Sequence, residues 1–202
     1  MIPALLLLSC RCAPAPTDAT LQPEDIGHYA VMTGVVDAVK AGDLAAVKDL
    51  SRQLEGGADA TDPALGEHTD RLHGAVGFAV AASDLEDAAY AVAVMGRACR
   101  DCHAAAGSPL MVSPPSKSAE GLAAHAAGAE AVWMGYIAAD QGVYLAGLAR
   151  FPRGLEGELG EAARALAERH AMTATTAPPT AAPEAGRPED VAELLLTCAG
   201  CH

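Results

Sequence analysis

Residues 83–103 read Ser83-Asp84-Leu85-Glu86-Asp87-Ala88-Ala89-Tyr90-Ala91-Val92-Ala93-Val94-Met95-Gly96-Arg97-Ala98-Cys99-Arg100-Asp101-Cys102-His103. Ser83 followed three residues later by Glu86 has the form of a capping box, in which each side chain satisfies the other's free amide. The alanines, with Leu85, Val92 and Met95, then predict one helix running from Ser83 through His103. No stretch of the chain sustains apolar and polar alternation, so an all-α fold without a sheet is expected.

Working outward, three more helices are expected before this one. The first runs from about Pro23 to Ala41, with Gly42 as its stop. The second runs from Asp43 to Leu54 and ends at Gly56-Gly57. The third runs from about Asp62 to Ala82, capped by Asp62 with Pro63 in its first turn. Gly107 to Lys117 is rich in Pro and Ser and reads as a linker. A second set follows: a helix capped by Ser118 to about Asp140, a short one over Gly142–Arg150, and one over Gly154–Met172. A loose Pro-, Thr- and Ala-rich loop over Thr173–Arg187 precedes a last helix from Pro188 to His202. Ala30-Val31-Met32-Thr33-Gly34-Val35-Val36 is echoed by Ala131-Val132-Trp133-Met134-Gly135-Tyr136-Ile137. The echo argues for a tandem duplication of units over 24–107 and 118–202.

The composition of the 202 residues excludes several classes. The formal net charge of −13 argues against nucleic-acid binding. A content of 51% hydrophobic residues is too apolar for a disordered chain. No apolar run is long enough for a membrane-spanning helix. Aromatic residues make up only 3%, while 47 residues are alanine. Alanine favours helix but buries little area, so a thin core is expected, which a bound apolar group would fill.

The Cys99–His103 stretch recurs as Cys198-Ala199-Gly200-Cys201-His202. Cys-x-x-Cys-His is the attachment pattern of c-type haem. On a helical turn, positions i, i+3 and i+4 share a face, so two thiols reach one porphyrin edge and the histidine turns to the iron. Two such matches in a chain of this length exceed chance. Competing readings are a zinc site, whose Cys pairs usually lie much closer together, and a redox or disulfide pair, which wants a βαβ setting absent here. The expected cofactors are therefore two covalently attached haem c groups, held by Cys99, Cys102, Cys198 and Cys201, with His103 and His202 as proximal iron ligands.

With these motifs ending each helical set, the chain resembles the four-helix-bundle c-type cytochromes of the cytochrome c-prime kind, in duplicated bacterial form. The resemblance covers about residues 24–202. It implies two tandem four-helix bundles and leaves the sixth iron ligand open. In an up-down-up-down bundle, the end of the fourth helix lies beside the starts of the first and third. Candidates at haem 1 are His28, Met32, His68 and His73, of which His28 is preferred, alongside an open site. At haem 2 His125 is preferred, Met134 lying too deep in its helix and His170 at the far end. Met32, Met95 and Met134 read better as core filler, and Trp133 as packed in the core or on the porphyrin.

Leu5–Leu8, Ser9 and Cys10 resemble a bacterial lipoprotein signal, with Cys10 as the lipidation site, although no Lys or Arg precedes the run. A plain secretory signal or an unprocessed end is the alternative. Residues 1–23 thus read as signal and tether, and Cys12 as a bystander thiol. The expected protein is exported to the periplasm or cell envelope and held on the membrane surface by a lipid anchor. It would carry electrons between redox partner proteins without enzymatic activity. A gas-binding haem protein with an open sixth position is the alternative, and a dihaem peroxidase a weaker third.

Overall fold

The computed structural model describes residues 27–55, 65–108, 110–115, 118–176 and 186–199. Eight helices account for the regular structure among them, and no strand occurs, as the sequence leads one to expect. They are α1 (His28–Lys40), α2 (Leu44–Leu54), α3 (Gly66–Ala81), α4 (Leu85–Ala105), α5 (Gly121–Ile137), α6 (Gln141–Arg150), α7 (Gly157–Thr176) and α8 (Pro188–Ala199). Among the described residues no helix is long and apolar enough to cross a membrane.

Several helix ends differ from the sequence reading. Asp84, not Ser83, caps α4: its carboxylate accepts from the Asp87 amide at 2.9 Å, while the Ser83 hydroxyl turns to the Asp87 carboxylate. A carboxylate facing the positive end of the helix is a stronger acceptor than a hydroxyl. Ser118 is not the cap of α5, which begins at Gly121 after Glu120. The third helix of the second half starts at Gly157 rather than Gly154. It also runs on to Thr176, because the Thr173 and Thr175 hydroxyls bond back to the carbonyls of Arg169 and Ala171 rather than competing for the chain. The expected start of the first helix at Pro23 and the Asp62–Pro63 cap lie outside the described residues.

The α1–α2 and α5–α6 connections are the same structure. Asp43 and Asp140 each cap the second helix of the pair, accepting from Ala46 and Val143 at 2.9 Å. Before each cap the chain turns through a left-handed residue, Gly42 (φ 71°) or Ala139 (φ 54°). The amides of Asp43 and Asp140 then reach back to the Ala38 and Gly135 carbonyls, both at 2.9 Å. This is the doubly bonded helix end that favours glycine. Every one of these bonds recurs 97 residues later. The burial pattern follows: Val47, Ser51 and Leu54 of α2 match Tyr144 and Leu148 of α6 and Phe151 just past its end, all buried. The register of the two halves is thus 97 along their first two helices, not the 101 of the Ala30–Val36 echo. Hydrogen-bonded ends set the register, whereas the echo reflects shared small and apolar residue types.

Packing joins the halves. The last helices, α4 and α8, lie against each other, with α1 against α8 and α5 against α4. One continuous core results. In the first half valine, alanine and methionine fill it, including Val35, Val36, Val39, Val76, Val92 and Met95. In the second half Tyr136, Tyr144 and Phe151 are fully buried. The α5–α6 seam is unusually close. A methyl group on Gly135 would stand 2.3 Å from the Tyr144 amide nitrogen, and one on Gly147 2.5 Å from that of Val132.

Candidate haem-binding sites

The first motif occupies the last two turns of α4. Cys99 and Cys102 are half-buried. Burial, with a smaller contribution from neighbouring Cys102, pushes the Cys99 thiol up to about 11. At neutral pH it is therefore the thiol rather than the thiolate. Past α4 the chain turns through Gly107 (φ 67°), and the Ser108 amide bonds back to the His103 carbonyl at 2.9 Å. The same turn puts the Ser108 carbonyl 3.1 Å from His103 Nδ1. A carbonyl only accepts, so Nδ1 carries the proton. Metal-ligating histidines are commonly oriented in this way. Between the thiols, Arg100 is pinned by Asp101 at 3.0 Å and lies over the Tyr136 ring, 5.8 Å from its centre.

The second motif begins at Cys198, which is buried near the end of α8 and donates to the Leu194 carbonyl at 3.7 Å. Cys201 and His202 lie outside the described residues, as does Cys10. Cys198 lines a small crevice of about 10 Å³, bounded by Ala129, Val132 and Trp133 of α5, by Phe151, and by Leu195 of α8. Apart from the thiol its walls are apolar side chains. His125 stands one turn before Ala129 on the same side of α5. Its Nδ1 donates to the Phe151 carbonyl, and its ring stacks on the Phe151 ring with centres 4.6 Å apart.

His28 opens α1, and in the 97-residue register it is the counterpart of His125. Each precedes its capping aspartate, Asp43 or Asp140, by 15 residues. The rival candidates separate. Met32 is buried in the core. Met134 takes a hydrogen bond from the Tyr29 hydroxyl at 3.4 Å. His68, in the first turn of α3, has a buried Nδ1 without a hydrogen bond.

The two halves offer different space beside their motifs. Met32 stands in the register position of Ala129, and with the motif cysteines aligned Met95 stands in that of Leu194.

One cluster has no counterpart in the sequence reading. His170 of α7, only 2% exposed, has Nδ1 3.1 Å from Asp190 and Nε2 3.2 Å from Glu193, both on α8. Asp190 is buried and held by Arg187 at 3.0 Å. Burial keeps His170 below its ordinary value, against the pull of the two carboxylates. Burial would raise Asp190, but the Arg187 hydrogen bonds and the neighbouring imidazole outweigh it and hold the carboxyl below its ordinary value. A signal for this cluster was present. His170 continues the apolar stripe Ala163, Leu166, Ala167, which puts a histidine on the face of α7 that must be buried.

No protein-family model matches the chain, and no curated protein or solved structure does. Among the described residues no group of three or more His, Cys, Asp or Glu side chains is arranged to hold a metal ion.

Proposed function

We propose that the chain is an exported dihaem c-type cytochrome that carries electrons between redox partners. It would consist of two four-helix haem units, 24–107 and 118–202, sharing one core. The observation that carries the reading is the double Cys-x-x-Cys-His, the first copy in the last turns of α4 and the second beginning at Cys198 near the end of α8. Three features of the site support it. His103 has Nδ1 tied to the Ser108 carbonyl. His125 likewise donates from Nδ1 to the carbonyl of Phe151, whose side chain lines the apolar crevice at Cys198. His28 holds the register position of His125 in the other half.

In this reading Cys99 with Cys102, and Cys198 with Cys201, form the thioether links, while His103 and His202 are the proximal ligands. His28 and His125 are the distal ones. Bound haem would supply one-electron chemistry at its iron. The chain contributes orientation and dryness: the Ser108 and Phe151 carbonyls hold imidazoles in one tautomer, and Trp133 and Leu195 exclude water at Cys198. The crevice at Cys198, at about 10 Å³, does not by itself hold a porphyrin. Lipidation at Cys10 would hold the protein on the periplasmic membrane surface.

The test is a haem count and a spectrum of the protein expressed with a c-type maturation system. Two covalent haems per chain and a low-spin ferric spectrum are expected. His125→Ala should turn one haem high-spin and open it to carbon monoxide. A chain purified without covalent haem overturns the reading. Two high-spin haems that bind carbon monoxide in the unaltered protein would instead favour a c-prime-like gas-binding protein.

A further inference from the structure

Of the seven aromatic side chains, four are buried in the shared core: Trp133, Tyr136, Tyr144 and Phe151. Two of the other three meet on the surface. Phe78, near the end of α3, and Tyr90, near the start of α4, stand edge to face with ring centres 6.4 Å apart. They are 45% and 38% exposed, so the pair stays largely in water. Beside them α3 carries Gly74, one turn before Phe78, and Gly77, next to it. Both glycines are exposed, and neither has the left-handed backbone that favours glycine. A methyl group on either would meet nothing within 4 Å. Glycine inside a helix costs stability, and neither the backbone nor the packing of this chain requires it here. The two glycines leave a shallow, open floor beside an aromatic wall. The charge around it has one sign. The arginines of this face, Arg71 and Arg97, are paired with Glu67 and Asp101. Asp84, Glu86 and Asp87 open α4 without a cationic partner among the described residues, and Glu86 lies one turn before Tyr90 on the same face. Neither helix contains a lysine.

We propose that the Phe78–Tyr90 pair, with the glycine floor beside it, is the docking surface for a basic partner protein, which lays a segment carrying lysine or arginine next to an apolar side chain across α3 and α4. The aromatic rings take the apolar side chain and the stem of the cation. The unpaired carboxylates at the start of α4 take its charge. Gly74 and Gly77 let the partner's main chain come close to α3, which a methyl group at either position would prevent. The formal net charge of −13 draws a basic partner toward the protein from a distance, and the patch decides where it stops. The surface lies more than two turns from Cys99 along α4, and the inference does not depend on the dihaem reading.

The experiment uses the full chain, isotope-labelled, and three short synthetic peptides. One is built of lysine and leucine, one of glutamate and leucine, and one of lysine and serine. Amide NMR spectra locate the contact, and calorimetry gives the affinity. The lysine–leucine peptide should move the amides of Gly74, Gly77, Phe78 and Tyr90, with an affinity that falls as salt is raised. The glutamate–leucine peptide should not bind, and the lysine–serine peptide should bind about tenfold more weakly. Phe78→Ala combined with Tyr90→Ala should weaken the lysine–leucine peptide about tenfold. Gly74→Ala and Gly77→Ala should each weaken it about fivefold while raising the melting point, a combination that damage to the fold does not produce. A lysine–leucine peptide that does not bind, that binds the glycine variants as tightly as the unaltered protein, or that moves amides elsewhere on the acidic surface overturns the proposal. So does equal binding of the glutamate–leucine peptide at the patch. If dilution of the protein alone moves the same amides, the occupant is a second copy of the chain, and the assignment to a basic partner fails.

Discussion

Replacing Gly135 with alanine tests the closest helix contact in the molecule. In an isolated helix the change is favourable, by about 1 kcal/mol, because alanine loses less backbone freedom. Here the new methyl would meet the Tyr144 amide nitrogen at 2.3 Å, its Cα at 2.7 Å and its Cβ at 2.9 Å. Two of these three atoms are main chain of α6, so no rotamer change relieves the contact. The helices must separate by roughly 1 Å, which opens gaps along the seam where Gly128 and Gly147 also abut opposing backbone. Overpacking of this kind costs typically about 1–3 kcal/mol, and backbone contacts lie at the upper end or beyond. Less the propensity gain, the net loss is about 2 kcal/mol. For a chain of this length that corresponds to a melting point about 4–8 °C lower. Gly77→Ala is the control. Gly77 is exposed on α3 with nothing within 4 Å of the added methyl, so only the propensity gain remains. It should melt about 2–4 °C higher. Thermal unfolding followed by circular dichroism reads both. A Gly135→Ala protein that melts at or above the unaltered one would refute the close α5–α6 packing.

Further outcomes are expected. Asp43→Ala and Asp140→Ala should each cost about 1 kcal/mol, and by similar amounts, since the two caps are the same structure; denaturant unfolding compares them. Stability should fall with acid in two stages. His170 is held below its ordinary value, so stability declines as pH drops below about 6.5, where the unfolded chain takes up a proton that the folded one resists. Asp190 is depressed as well, and its contribution is lost only at lower pH, as its carboxyl protonates in the folded protein. His170→Gln should flatten the limb between about pH 5 and 7, measured as denaturation midpoints across pH; an unchanged limb assigns it to other groups. Trp133→Ala should destabilise by about 3–5 kcal/mol as a large-to-small change in a close-packed interior, read by the same unfolding experiment.

Much of this was legible in the one-dimensional pattern, for identifiable reasons. Helices and their order follow from local chemistry: alanine content, apolar spacing, and aspartates or glycines at the ends act within a few residues of one another. The Cys99–His103 and Cys198–His202 motifs are likewise local, because their chemistry depends on a single helical turn. Finer ends were missed where two acceptors compete, as Ser83 and Asp84 do, or where threonines serve the helix rather than ending it, as at Thr173 and Thr175. What no local pattern contains is which helix faces which. Only the tertiary structure sets α4 against α8 and seats Trp133 on Gly96. It also closes α5 on α6 through glycines and buries His170 between two carboxylates of another helix. These contacts join residues far apart in the chain, and close packing in three dimensions selects them. The register of the two halves shows the division most plainly. Residue resemblance suggests 101, whereas the hydrogen bonds at the helix ends set 97, and that register pairs His28 with His125.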